Sequence, residues 1–127
     1  MRYISTRGHA APIAFDAAML SALAPDGGLY MPQFWPQIAP DEVKALATRT
    51  YPEVALQVLK RFSGDAIPLG DLYTAIIAAY RRFDAPEVTP LTDLGGGVHL
   101  LELFHGPTFA FKDVALQLLG RLMDWGL

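Results

Sequence analysis

One lysine stands apart from the other cations of the chain. Lys112 is the only cation between Arg82 and Arg121, and it sits among Phe109, Phe111 and Val114. Ahead of it runs Glu102-Leu103-Phe104-His105-Gly106-Pro107-Thr108, which puts a carboxylate, an imidazole and a hydroxyl around a Gly-Pro loop signal. Val98-His99-Leu100-Leu101 is almost continuously apolar and reads as a strand buried on both faces of a mostly parallel sheet. Val114 to Leu119 is rich in helix formers. Strand, loop and helix in that order place Lys112 in the first turn of a helix, at the sheet edge where open α/β folds bind ligands. The positive end of the helix dipole and apolar surroundings both favour a neutral amine there, the form that attacks a carbonyl to give a Schiff base. Asp113 pulls the other way, because a carboxylate suits a helix N-terminus and favours the ammonium. A solvated surface lysine is the competing reading, and charge and periodicity alone leave it open.

The other polar residues carry weaker signals. His9, His99 and His105 share no metal-ligand spacing with one another or with nearby acids, so no metal is expected. His99 is expected to pack against the sheet. His105 has two open readings, a polar contact with substrate or a hydrogen bond that stabilises the loop. Glu102 interrupts an apolar run and, if buried, needs partners; the loop backbone is expected to supply them. Gly95-Gly96-Gly97 precedes a strand instead of joining strand to helix, so it is no phosphate loop.

The elements that must position these groups follow from periodicity and turn chemistry. Tyr3 to Thr6 and Leu29 to Met31 read as short strands. Ile13 to Leu23 reads as a helix with Phe15, Met19, Leu20 and Leu23 on its core face, ended by Pro25-Asp26-Gly27-Gly28. Pro32 to Pro40 is irregular, with Phe34, Trp35 and Ile38 expected to pin it to the core. Helices are predicted from Asp41 to Arg49 and from Pro52 to Ser63, the second facing the core with Val54, Val58, Leu59 and Phe62. Leu69 to Phe83 is the clearest helix, with Leu72, Tyr73, Ile76, Ile77, Tyr80 and Phe83 at three- and four-residue steps. Arg81 and Arg82 form its solvated end. From Asp84 to Gly97 the composition changes to Pro, Gly and Thr, which sets a domain boundary near residue 90, with Pro90 to Leu94 adding a strand. The last helix carries Asp113, Gln117, Arg121 and Asp124 along one narrow stripe and is apolar elsewhere. So wide an apolar arc belongs to a helix covered on several sides, so residues 112 to 127 are expected to self-associate, or to lack order where nothing covers them.

Composition bounds the class. At 52% hydrophobic and 18% charged, the 127 residues can fill a core. A net charge of -3 and the absence of a basic cluster argue against a nucleic-acid partner. No cysteine is present, which excludes disulfides and thiolate metal sites. The amino terminus lacks the apolar core of a signal peptide, and no apolar run approaches the roughly 20 residues of a membrane span. A cytoplasmic protein acting on a small molecule is the expectation.

The segment Glu102-Leu103-Phe104-His105-Gly106-Pro107-Thr108-Phe109-Ala110-Phe111-Lys112-Asp113 resembles the cofactor-lysine segment of threonine synthases. Tyr3-Ile4-Ser5-Thr6-Arg7-Gly8 and Ala24-Pro25-Asp26-Gly27-Gly28-Leu29-Tyr30 resemble that family's amino-terminal domain, in the same order. The resemblance implies a pyridoxal-phosphate enzyme of fold type II, like the tryptophan synthase β chain. The intact protein would be α/β, and the present chain an α+β piece, mostly helical with a few short strands. Residues 1–90 would be the amino-terminal domain and 91–127 the beginning of the catalytic domain. The implied reaction converts O-phospho-L-homoserine and water to L-threonine and phosphate. Lys112 would hold pyridoxal 5'-phosphate covalently and then move protons at the substrate's α and β carbons, with His105 and Thr108 bordering the substrate pocket. The family's Ser-Gly-Asp-Thr-Gly segment and its glycine-rich phosphate cradle do not occur in this sequence, so the chain alone is expected to be an inactive piece. A reading from a different class competes with this one: a non-catalytic helical interaction module that keeps the amino-terminal fold.

Overall fold

The computed structural model describes residues 1–126. Two short strands open the fold: β1 (Tyr3–Ser5) and β2 (Tyr30–Pro32) pair antiparallel, with Tyr3 opposite Pro32 and Ser5 opposite Tyr30. Between them lies α1 (Phe15–Leu20), shorter at both ends than its periodicity predicts. It stops where Ser21 turns extended, so Leu20 and Leu23 leave the expected core face and are exposed.

The next helices begin by one device. α2 (Pro40–Leu46) and α3 (Tyr51–Ser63) both have Pro in the first turn, where its missing N–H is harmless, and a glutamate that reaches back to the preceding N–H. Glu42 accepts from the Ala39 N–H at 2.9 Å, and Glu53 from the Thr50 N–H at 2.8 Å. Gly64 ends α3 and opens a 3-10 turn, Gly64–Ala66.

The core is built on α4 (Leu69–Tyr80). Its buried residues are Leu72, Ala75, Ile76, Ala79 and Tyr80, while Tyr73 and Ile77 of the predicted face are exposed. The small side chains at 75 and 79 take their place, since they let neighbouring helices approach closely. The inward residues of α3 are correspondingly Tyr51, Ala55, Leu56 and Leu59, not Val54 and Val58. Trp35 and Phe34 are exposed, and the Trp35 ring stands edge-on to Phe62, with centroids 6.2 Å apart.

After α4 the chain forms a hairpin. β3 (Leu91–Gly95) and β4 (Val98–Leu101) pair antiparallel, with Leu91 opposite Leu101 and Asp93 opposite His99. Gly95, Gly96 and Gly97 all take positive φ, at 83°, 60° and 79°, which lets the chain return at once. Val98 to Leu101 is therefore not a strand of a mostly parallel sheet buried on both faces. It is an exposed antiparallel strand, because the glycine turn supplies its partner from the adjacent sequence and nothing among the described residues covers either face.

The last helix, α5 (Asp113–Gly126), packs against α4 and α1. Leu118 and Leu122 are buried in the same core as Ile76 and Tyr80, and the Tyr80 hydroxyl donates to the Val114 carbonyl at 2.9 Å. These leucines need no second chain to cover them, contrary to the expectation that drove self-association; Leu116 and Met123 remain exposed. Nor is the polar stripe one solvent face, because Asp113 is buried. Trp125 is tied to α4 through its indole N–H, which donates to Asp71 at 3.1 Å. Among the described residues, two small antiparallel sheets and five α-helices make an α+β arrangement. No helix of the described residues is long and apolar enough to cross a membrane.

Candidate functional site

The segment that carries Lys112 leaves β4 at Leu101 and is clasped at once. The Glu102 N–H donates to the Pro90 carbonyl at 2.9 Å, and its carboxylate accepts from the Thr92 hydroxyl at 2.7 Å. The same carboxylate lies 2.6 Å from His105 Nε2, and Asp84 lies 2.5 Å from His105 Nδ1. The Asp84 N–H in turn donates to the His105 carbonyl at 3.1 Å. One imidazole thus joins the end of α4, the end of β4 and the loop. The bond to Glu102, followed by that to Asp84, holds the His105 pKa above the ordinary histidine range. The Thr92 hydroxyl, then His105, holds the Glu102 carboxyl below its own range. Glu102 therefore finds its partners in side chains, where the loop backbone was expected.

Beyond the clasp a second carboxylate closes the loop on itself. Asp113, the first residue of α5, is 3% exposed, and its Oδ2 accepts from the Thr108 N–H at 2.8 Å and from the Thr108 hydroxyl at 2.9 Å. Its Oδ1 accepts from the Gln117 amide at 3.2 Å. Burial works against the ionised form, but the Thr108 and Gln117 bonds outweigh it and hold the carboxyl below its usual range. Gly106 is pressed against this group: a Cβ there would lie 2.4 Å from Asp113 Cβ. The Phe109 N–H donates to the Gly106 carbonyl, and Phe109 sits at φ 59°, rare for a residue with a side chain.

Lys112 comes out of this loop immediately before α5, one residue short of the predicted first turn. Its carbonyl accepts the Ala115 and Leu116 N–H groups at 3.1 and 2.8 Å, which is the work of a helix N-cap. Its side chain is exposed, and among the described residues it makes no ion pair or hydrogen bond. Phe109 and Phe111 flank it, exposed as well. The apolar neighbours seen in the sequence thus stand beside the amine without burying it. Asp113 does not pair with the lysine; its oxygens are turned into the loop and occupied there.

His99 lies across the hairpin from Asp93, 3.8 Å away and half exposed, instead of packing on a sheet. Of the expected site residues, His105, Thr108 and Lys112 share one loop, but His105 spends its ring nitrogens on Asp84 and Glu102, and Thr108 its hydroxyl on Asp113. An apolar cleft of about 450 Å³ is lined by Tyr3, Phe15, Met19, Tyr80, Leu118 and Leu122, among others, and by none of those three.

A second polar cluster was not legible as such in the sequence. Asp26 accepts from the Ser5 hydroxyl at 2.7 Å, the Gly28 N–H at 3.0 Å and the His9 N–H at 3.0 Å, while its carbonyl takes the Arg7 guanidinium at 3.0 Å. The Ser5 bond, then the Gly28 bond, lowers its pKa to about 2. The two amino-terminal stretches read separately in the sequence are one knot here. Its only local signal was the aspartate of an Asp-Gly-Gly turn, which bonds the backbone two residues on.

The family model for the threonine synthase N terminus matches residues 2–80, more than half of the chain and inclusive of this knot. The chain belongs to the threonine synthase family. The threonine synthase of Pseudomonas aeruginosa is 45% identical over 124 residues, 98% of this chain and 26% of that protein. That of Schizosaccharomyces pombe is 43% identical over 126 residues, again 98% of this chain and 24% of its own length. A crystal structure of PLP-bound threonine synthase from Brucella melitensis superposes with a TM-score of 0.97 at 49% identity, over 100% of this chain and 27% of that one. The chain thus spans about a quarter of the length of the threonine synthases it matches. The Lys112 loop lies past the matched amino-terminal region but within the span shared with these threonine synthases.

Proposed function

We propose that this chain supplies the cofactor-lysine segment of a pyridoxal-phosphate-dependent threonine synthase, a cytoplasmic enzyme converting O-phospho-L-homoserine and water to L-threonine and phosphate. The observation that carries the reading is Lys112 itself: an exposed amine, free of any ion pair among the described residues, on a loop braced from both ends. Such an amine fits covalent attachment to an aldehyde cofactor, because nothing has to be displaced from it and its backbone is held. The flanking faces of Phe109 and Phe111 offer apolar surface beside it. When bound, pyridoxal 5'-phosphate supplies an electron sink for substrate carbanion charge. Lys112 would hold the group, and its released Nζ would take and return protons at the substrate's α and β carbons. We carry His105 and Thr108 as the border of the substrate pocket. Their internal hydrogen bonds support a part in shaping that border more than in reaching substrate.

The domain division near residue 90 and the fold-type-II architecture belong to the same proposal, as does association through residues 112–127, which the exposed Leu116, Met123 and Trp125 support. Leu127 lies outside the described residues. A non-catalytic interaction module is not favoured, since the relatives at 43–45% identity and the matched crystal structure are threonine synthases. The test is Lys112→Ala in a full-length enzyme carrying this sequence. Threonine formation and the covalently bound cofactor's visible absorbance should both vanish while far-ultraviolet circular dichroism stays unchanged. Borohydride trapping of cofactor on a different lysine would refute the assignment.

A further inference from the structure

Lys112 is exposed and among the described residues has no side-chain partner of its own, so something other than side-chain contacts must fix where its amine points. Its backbone is fixed from two sides. The carbonyl is committed to the first amides of α5, and the next residue is the most buried carboxylate near the site. Asp113 reaches back to residue 108, so the chain from Thr108 to Asp113 is a closed ring, with Lys112 one residue from its closure. Within that ring the Asp113 N–H donates to the Ala110 carbonyl at 3.0 Å, and Phe109 is held at a positive φ that free chain would abandon. Gly106 packs so closely on the same residue that a side chain there would collide with it. The far oxygen is steadied by Gln117, one turn along α5. An aspartate whose sole task was to complement the helix dipole would be content in solvent at this position. This one is buried and directed at a single upstream residue.

We propose that Asp113 is a positioning residue for Lys112: by tying Thr108 to the start of α5 it sets the backbone from which the lysine amine addresses cofactor and substrate. The proposal rests on the reading of Lys112 as the cofactor lysine. On this view the Thr108 hydroxyl donates inward to Asp113 and acts through the loop. A misplacement of the reacting amine of about 1 Å is enough to lower turnover on the order of 100-fold.

The experiment compares Asp113→Ala and Asp113→Asn in the full-length holoenzyme. The asparagine oxygen still accepts from the Thr108 N–H and hydroxyl, so Asp113→Asn serves as the rescue. Asp113→Ala is expected to lower kcat by roughly 10- to 100-fold with little change in KM, to alter the visible circular dichroism of the bound cofactor, and to speed amide exchange at Thr108 roughly tenfold. Asp113→Asn should recover most of all three. If Asp113→Ala speeds Thr108 exchange but leaves kcat and the cofactor dichroism within twofold of wild type, the aspartate merely supports the loop and the proposal is overturned. Should Asp113→Ala not fold, Asp113→Asn decides alone: retained Thr108 protection with near-normal kcat supports the proposal, and retained protection with kcat lost sinks it. Trapping of cofactor on a lysine other than Lys112 overturns the functional reading instead, which the Thr108 exchange rate does not touch.

Discussion

Gly106→Ala is the sharpest structural perturbation of the site loop. The added Cβ would lie 2.4 Å from Asp113 Cβ, 2.5 Å from Oδ2 and 2.7 Å from Cγ, and real Cβ atoms do not come so close. Gly106 does not sit at a positive φ, so the whole cost is crowding. The crowded atom is one bond from the α5 backbone, and α5 is pinned by Leu118 and Leu122 in the core and by the Tyr80 hydroxyl on Val114. Relief therefore requires either the loop to lift or the helix to slide. Overpacking of this kind costs about 1–3 kcal/mol, a fall in Tm of roughly 3–15 °C for a chain this size. Gly120→Ala is the control. It lies in the interior of α5 with nothing within 4 Å of the new methyl, and should stabilise by up to about 1 kcal/mol. Thermal unfolding of the three proteins by circular dichroism orders them: Gly120→Ala, wild type, Gly106→Ala. A Gly106→Ala protein as stable as wild type, with Thr108 still protected from exchange, would mean that the carboxylate is not wedged as described.

The clasp at His105 predicts a particular pH dependence. Its folded pKa is raised above 6.5, so its contribution is complete below that value and is lost as pH rises through the raised one. Glu102 is lowered from 4.5, so its contribution is present above that value and fades as pH falls through the lowered one. Only the imidazolium has two N–H groups for two carboxylates. The stability gap between wild type and His105→Gln should therefore be widest near pH 5–6.5 and narrow on the alkaline side; a gap constant from pH 5 to 9 would refute the clasp. Sedimentation across a concentration series tests association through residues 112–127. Leu116→Ser should weaken it, and a chain monomeric throughout would end that proposal.

Helices were legible wherever periodicity was long, as from Leu69 to Tyr80, because an amphipathic face writes itself into spacing. Which part of the face goes deepest was not, since Ala75 and Ala79 are buried for their smallness and Ile77 is left outside. The hairpin was misread for a physical reason: an apolar run such as Val98 to Leu101 looks alike in a parallel core strand and in an uncovered antiparallel one. Lys112 was found through its surroundings and the family resemblance. The carboxylates that hold its loop were not, because whether Asp113 faces solvent or Thr108 depends on a backbone bend that spacing does not encode. The Asp26 knot was hidden likewise, its donors coming from both stretches at once.

The shared core of α4 and α5 has a consequence for synthesis. The amino-terminal unit, read from residues 2–80, cannot seal its own interior, because Leu118 and Leu122 form part of the wall against Ile76 and Tyr80. On the ribosome, then, the helices up to Tyr80 emerge with an open side that waits for the glycine hairpin and the lysine loop to be made. At about 5–20 residues per second, the stretch from 81 to 122 takes roughly 2–8 s to translate. Through that interval the faces of Ile76 and Tyr80 that α5 later covers stay open. The strand-loop-helix segment that bears the lysine is thus the piece that closes the unit before it.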